Sequence, residues 1–370
     1  SSACVNAPRK LAPAASLFLH KVSMMAAQFP VFDGHNDLLR RLWMEQPNTS
    51  VEQVFSGLNG GHLDFPRMQR AGFAGGLFAV FVPPARYIAE MRGITPDAAQ
   101  ALHDPLRITH QQIDLFYRMV DASEGRMRVC HSAQEIAQCL QDGTIALVLH
   151  IEGADALNAE LEPLDALVAR GVRSIGPFWN LPNVFGEGVN GRFPGSPDTG
   201  PGLSEAGKRL IRACNHRRIL IDLSHMNERA FWDTAALSTA PLVASHSNAH
   251  ALCPQPRNLT DAQLEAIAAS DGLVGVNFGT AFLREDGKRD ARTPLHKIFQ
   301  HIDYLLTKLG EDRVAFGSDF DGIDLPEELG DVTGLPRLMA LLTSSGISQS
   351  LAEKLAWRNW LRVLNMTWGN

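Results

Sequence analysis

Eight short apolar runs are spaced along this 370-residue chain, at 29–37, 72–82, 145–153, 172–179, 219–225, 242–248, 272–278 and 314–322. Most are continuous rather than alternating, as in strands buried on both faces of a parallel sheet. Helical patterns fall between them. The stretch 107–120 brings Ile108, Phe116 and Met119 near one face, and another helix is expected at 204–214 after a Gly-rich loop. Thr260-Asp261-Ala262-Gln263 reads as a capping box opening a helix to Ala269. The stretch 296–309 is amphipathic and stops before Gly310. Ser350-Leu351-Ala352-Glu353 reads as a second capping box. Strand and helix alternating eight times predict a (β/α)8 TIM barrel. The rival is a doubly wound open sheet, which would gather its polar strand ends at one crevice. Here they are spread over several strands, which favours the barrel.

Composition bounds the remaining choices. Hydrophobic residues make up 45% and charged residues 20%, enough apolar material for one large core. We expect a single domain over 29–370 behind an N-terminal arm, 1–28. Net charge is −6 with no basic stripe, so a nucleic-acid partner is not expected. The five cysteines form no CxxC pair, which argues against a disulfide framework or a thiolate metal site. A reducing, cytoplasmic compartment is the expectation, with a periplasmic or secreted location as the alternative. No apolar run reaches the roughly 20 residues of a membrane span. No lipid anchor is expected, since residues 366–370 form no hydrophobic tail. No GxGxxG joins a strand directly to a helix and no P-loop follows a strand, which speaks against an oxidoreductase or nucleotide-binding reading.

The chemistry is concentrated where the apolar runs end. Phe32-Asp33-Gly34-His35-Asn36-Asp37 places His35 and Asp37 two residues apart, on one face of an extended strand. Such a pair can hold one divalent metal ion. The third run ends Leu149-His150-Ile151-Glu152, and a carboxylate there can bridge two metals; His150 reads as hydrogen-bonding support. His225 and His246 end the fifth and sixth runs. Alone, each is more often a buried core histidine. Together with His35, Asp37 and Glu152 they read as a metal set. Asp222 is out of phase with His225 and suited to orienting a neighbour. Asp319, in Gly317-Ser318-Asp319-Phe320-Asp321-Gly322, is the candidate proton carrier. Asp321 either shares its face or caps the turn. The Gly/Pro-rich segment 186–202 reads equally as a lid over the mouth and as a plain surface loop.

These residues resemble the membrane dipeptidase (renal dipeptidase) family of metallopeptidases, in the amidohydrolase superfamily, across about residues 29–364. The matching pieces include Asp33-Gly34-His35-Asn36-Asp37-Leu38, Glu152-Gly153, Ser224-His225, Ser245-His246-Ser247, Arg257-Asn258, Val276-Asn277-Phe278 and 317–322. The resemblance implies a barrel with two Zn2+ ions at its mouth, other divalent metals being admissible. His35, Asp37 and Glu152 would hold one ion. Glu152, His225 and His246 would hold the other, with a metal-bridging hydroxide as nucleophile. Asp319 matches the catalytic acid/base, and Arg257 the arginine that binds the substrate's terminal carboxylate. The expected partner is a dipeptide, L-Xaa-L-Xaa or L-Xaa-D-Xaa, and a homodimer is an open expectation. Two departures stand out. Trp179 occupies the place of the mammalian substrate-binding histidine, and Gly279 that of a tyrosine. They resemble a bacterial branch, and they leave a lactonase or an N-acyl amino acid hydrolase as the alternative on the same binuclear centre.

Overall fold

The computed structural model describes residues 29–369; the expected arm at 1–28 lies outside them. Each of the eight apolar runs contains a strand. These are β1 (Val31–Asn36), β2 (Phe73–Phe81), β3 (Ile145–Glu152), β4 (Val172–Gly176), β5 (Leu220–Ile221), β6 (Val243–Ala244), β7 (Leu273–Val276) and β8 (Val314–Phe316). All neighbours among them pair in parallel, in the orders β1-β2-β3-β4-β5 and β8-β7-β6. A short strand that the sequence did not signal, Met127–Val129, pairs with the start of β3. The strand residues are almost wholly buried, which is why the runs are apolar without alternation.

Isolated parallel bridges join the two sheets: Asp222 with Val243 on one side, and Asn36 with Phe320 on the other. Each carries main-chain bonds. Leu223 donates to Val243 at 2.8 Å, and Asp37 donates to Phe320 at 2.9 Å. The larger sheet thus carries the segments of His35, Asp37, Glu152 and His225. The smaller carries those of His246 and Asp319.

The strands are shorter than the apolar runs, for a physical reason. Beyond them, side chains replace the ladder. Asp222 Oδ1 accepts from the N–H groups of Ser224 and Ser245, and Asn248 Oδ1 from that of Asn277. His225, Asp319 and Asp321 take left-handed backbone, at φ 72°, 66° and 64°. Strict alternation therefore ends before these residues, and face assignments made from it do not apply to them.

The helices follow their local signals. Thr260 and Gln263 form the expected capping box of Asp261–Ala269. His296–Leu309 stops at Gly310, and Pro105–Ala122 buries Ile108, Phe116 and Met119. The capping box expected at Ser350 is not formed. Ser348 caps Gln349–Glu353 by accepting from Leu351 N, and Glu353 instead accepts from Arg358. A cap needs only an oxygen at the first position, so the earlier serine serves.

Inside the strands the space is tight. A Cβ on Gly34, Gly275 or Gly317 would lie 2.4, 2.0 or 1.9 Å from the carbonyl oxygen of Ser245. Bare backbone of β1, of β7 and of the residue after β8 is thereby pressed against the residue after β6. Gly317→Ala should destabilise by about 3 kcal/mol, the upper end of ordinary overpacking costs. Chemical denaturation would measure it; an unchanged midpoint would mean the strands separate freely here.

Candidate metal centre

His35 lies within β1, and Asp37 follows it at the start of helix Leu38–Met44. Glu152 is the last residue of β3. His225, His246 and Asp319 stand beyond the ends of β5, β6 and β8. The structure brings all six together. None is more than 8% exposed, so their charges must be balanced inside the cluster. Glu152 Oε2 is 3.1 Å from His225 Nε2 and 3.3 Å from the Nε2 atoms of His35 and His246. His35 Nε2 is also 3.2 Å from Asp37 Oδ2 and 3.7 Å from Asp319 Oδ1. Three donor sets have ligand atoms within 4.8 Å of one another: His35, Asp37 and Glu152; Glu152, His225 and His246; and His35, His246 and Asp319. The first two coincide with the sets that the family resemblance implies.

Proton positions show what the cluster can hold. His225 Nδ1 is 2.7 Å from Asn180 Oδ1, an acceptor, so this nitrogen carries the hydrogen. Ser245 Oγ donates to Asp222 Oδ2 at 2.5 Å and has no second proton, so it accepts from His246 Nδ1 at 2.6 Å. In neutral His225 and His246 the Nε2 atoms are therefore bare lone pairs. Both face the Glu152 carboxylate, acceptor against acceptor. A cation between them satisfies all three, and the buried Asp37 Oδ1 has no other partner. A Cβ on Gly322 would lie 2.1 Å from Asp37 Oδ2 and 2.3 Å from Asp319 Oδ1, so bare backbone keeps this space open. The residues fit a divalent metal.

Protonation tells the same story. Burial resists charge on His35, but Glu152 and Asp37 outweigh it and lift the ring well above its ordinary value. Burial also resists ionisation of Asp37 and Glu152, yet His35 holds both below the usual carboxylate range. Burial drives His225 and His246 well below theirs, reinforced by Arg257 and His35. Asp319 is pushed up to about 8, first by burial and then by Asp37 and Glu152, against His35. One imidazolium is thus asked to balance several carboxylates, the task a metal ion performs better.

The surroundings refine the expected roles. Arg257 is 7% exposed, makes no ion pair among the described residues, and stacks over Phe282 at 5.2 Å. It donates only to Ser247 Oγ and the His246 carbonyl. His150 is bonded to Ser174 at 2.6 Å and stands outside the three donor sets. Burial lowers it to about 4. Asp321 turns away, accepting from His62 N and lying 3.7 Å from Arg41. Trp179, half-buried, packs its ring 5.0 Å from Phe81, 6.0 Å from Tyr87 and 6.4 Å from His225. A cavity of about 610 Å³ opens beside the cluster, lined by Arg40, Phe81, Tyr87, Gly322 and Ile323 among others. Ile323 fills the space that a side chain at Gly279 would need. The Gly/Pro segment is anchored here: Val189 N donates to the His225 carbonyl at 2.7 Å.

Two contributors were not foreseen from the sequence. Asn180 orients His225, and Asn277 donates to Asp319 Oδ2 at 3.1 Å. Both follow strand ends, the signal that marked the candidate ligands.

An α/β fold with imidazoles and carboxylates converging beyond its parallel strands defines a metallohydrolase. Residues 19–368 match the membrane dipeptidase family, peptidase family M19, and the chain belongs to it, as a metallo-dipeptidase. The crystal structure of the M19 metallopeptidase dipeptidase AC is similar at TM-score 0.85 and 45% identity, over 93% of this chain and all of that one. A Rhodobacter sphaeroides metallopeptidase, solved with a phosphinate mimic of L-Ala-D-Ala, gives 0.86 at 45% identity, covering 92% and 100%. An uncharacterized Klebsiella pneumoniae protein from the pqqA 5′ region is 61% identical over 265 residues, 72% of this chain and 98% of its own length. No described helix is long and apolar enough to cross a membrane.

Glu152→Gln removes the one charge that faces three imidazoles. It should lower the zinc content of zinc-reconstituted protein, measured by atomic absorption. Undiminished content would show that Glu152 holds no metal.

Proposed function

We propose that the chain is a di-zinc dipeptidase on a closed (β/α)8 barrel, hydrolysing L-Xaa-L-Xaa and L-Xaa-D-Xaa substrates. The bridges at Asp222 and Asn36 support closure of the two sheets. Mixed imidazole and carboxylate ligands favour zinc, and two donor sets sharing Glu152 favour a pair of ions. The relative solved with a mimic of L-Ala-D-Ala supports acceptance of a C-terminal D-residue.

The observation that carries the substrate class is Arg257. A buried guanidinium lacking a carboxylate partner, at the edge of a hydrolytic centre, calls for an anion from outside. The free carboxylate of a dipeptide supplies it. That clamp places the scissile bond one residue from the substrate's free C-terminus.

When bound, the metal pair supplies Lewis-acid polarisation of the scissile carbonyl and a lowered pKa for the attacking water. The chain's residues do the rest. Asn277 occupies Asp319 Oδ2, leaving Oδ1 to take a proton and deliver it to the departing amine. Arg257 orients the substrate by paired hydrogen bonds. Trp179, Phe81 and Tyr87 form an aromatic wall for a substrate side chain. An N-acyl amino acid presents the same free carboxylate, so N-acyl amino acid hydrolysis is the second reading.

Dipeptides of both stereochemistries, N-acyl amino acids and lactones, assayed on protein of known metal content, separate these readings. Dipeptides should lead; a preference for N-acyl amino acids or lactones would overturn the assignment. Asp319→Asn should retain zinc and lose about 10²–10⁴-fold in kcat. A near wild-type rate would remove Asp319 from proton transfer. Arg257→Met should cut kcat/KM for dipeptides by about 10²–10³-fold, the scale of an unpaired buried charge. It should also erase discrimination against C-terminal amides.

A further inference from the structure

Both junctions between the sheets contain the same buried device. At one, Asp222 Oδ1 accepts from Ser245 N at 2.8 Å and Oδ2 from Ser245 Oγ at 2.5 Å. At the other, Asp33 accepts from Ser318 N at 2.8 Å and from Ser318 Oγ at 2.5 Å. Each serine immediately precedes a residue of the centre, His246 or Asp319. Asp33, Asp222, Ser245 and Ser318 are all at most 2% exposed. None of them appears in the metal-donor sets.

The two clamps differ in what surrounds the serine hydroxyl. Ser318 Oγ has a second acceptor, the His35 carbonyl at 3.2 Å. Ser245 Oγ has only Asp222 Oδ2 and His246 Nδ1. Its single proton can go to one of them. The Asp222 carboxylate claims it, so His246 Nδ1 must keep its own hydrogen and Nε2 must stay bare.

We propose that Asp222, acting through Ser245, is a positioning residue that fixes His246 in the tautomer able to bind metal. The proposal rests on the metal-centre reading above. Replacing the carboxylate by an amide reverses the chain. In Asp222→Asn the amide N–H donates to Ser245 Oγ, and the serine proton turns to His246 Nδ1. The histidine hydrogen then moves to Nε2, where it blocks ligation. Asp33→Asn is the parallel control: it removes the carboxylate that grips the serine at the other sheet junction, but Ser318 can turn its proton to the His35 carbonyl, with no histidine tautomer at stake.

The test uses full-length protein with 15N-labelled histidine. In the metal-free state, long-range 1H–15N spectra should show His246 protonated at Nδ1 in wild type and Asp33→Asn, and at Nε2 in Asp222→Asn. Zinc affinity, measured by competition with a chromophoric chelator, should fall about 10–100-fold in Asp222→Asn, the usual effect of losing a partner behind a metal ligand. Ser245→Ala keeps the backbone bond to Asp222 and loses only the relay. It should weaken zinc binding in the same direction, and it carries the test if Asp222→Asn does not fold. An unshifted His246 signal in Asp222→Asn would overturn the proposal, as would an equal loss of zinc affinity in Asp33→Asn. Wild-type protein that binds no zinc would instead overturn the metal centre, while the metal-free spectra would still report the tautomer.

Discussion

The molecule depends on one buried carboxylate oxygen, Glu152 Oε2, and the three imidazole nitrogens within 3.3 Å of it. Without a cation this is a poor arrangement. Two of the nitrogens present lone pairs to an anion, and the third must be protonated to hold the cluster together. Unpaired buried charge is among the costliest features a fold can carry. The surrounding chain maintains it through bonds aimed from behind, by Asn180 on His225 and by Ser245 on His246. Those bonds direct the rings inward.

The cluster also dictates how the backbone behaves around it. Donors come from both sheets, and β5, β6 and β8 end early so that His225, His246 and Asp319 can leave the ladder. Left-handed conformations at His225 and Asp319 are the local result, a strain of order 1–3 kcal/mol each. Side-chain amides and carboxylates take over the main-chain bonds thus released. Polar residues gathered beyond strand ends therefore have two duties, supporting the chain and aiming the candidate donors.

That division explains what could be read in advance. The eight strands were legible because burial on both faces leaves an unmistakable apolar run, and the candidate ligands because each stands towards the end of such a run. Met127–Val129 was not legible, since three residues with one exposed arginine carry no such signature. Nor was the orientation of Asp321, because alternation assumes extended backbone and the turn there is left-handed. The roles of Asn180 and Asn277 were not legible because an amide has no metal chemistry of its own. Their importance lies in which atom of a neighbour they occupy, and only coordinates show that.

The carbonyl of Ser245, enclosed by Gly34, Gly275 and Gly317, carries a consequence for how this protein can vary. Most protein cores accommodate change by exchange: one side chain grows as its neighbour shrinks. Here the packing partners are peptide groups, which cannot shrink. Drift at these three positions has no compensating move nearby, while the outer helices remain free to diverge. Directed evolution of substrate choice on this scaffold should therefore begin at the aromatic wall and leave the glycines alone.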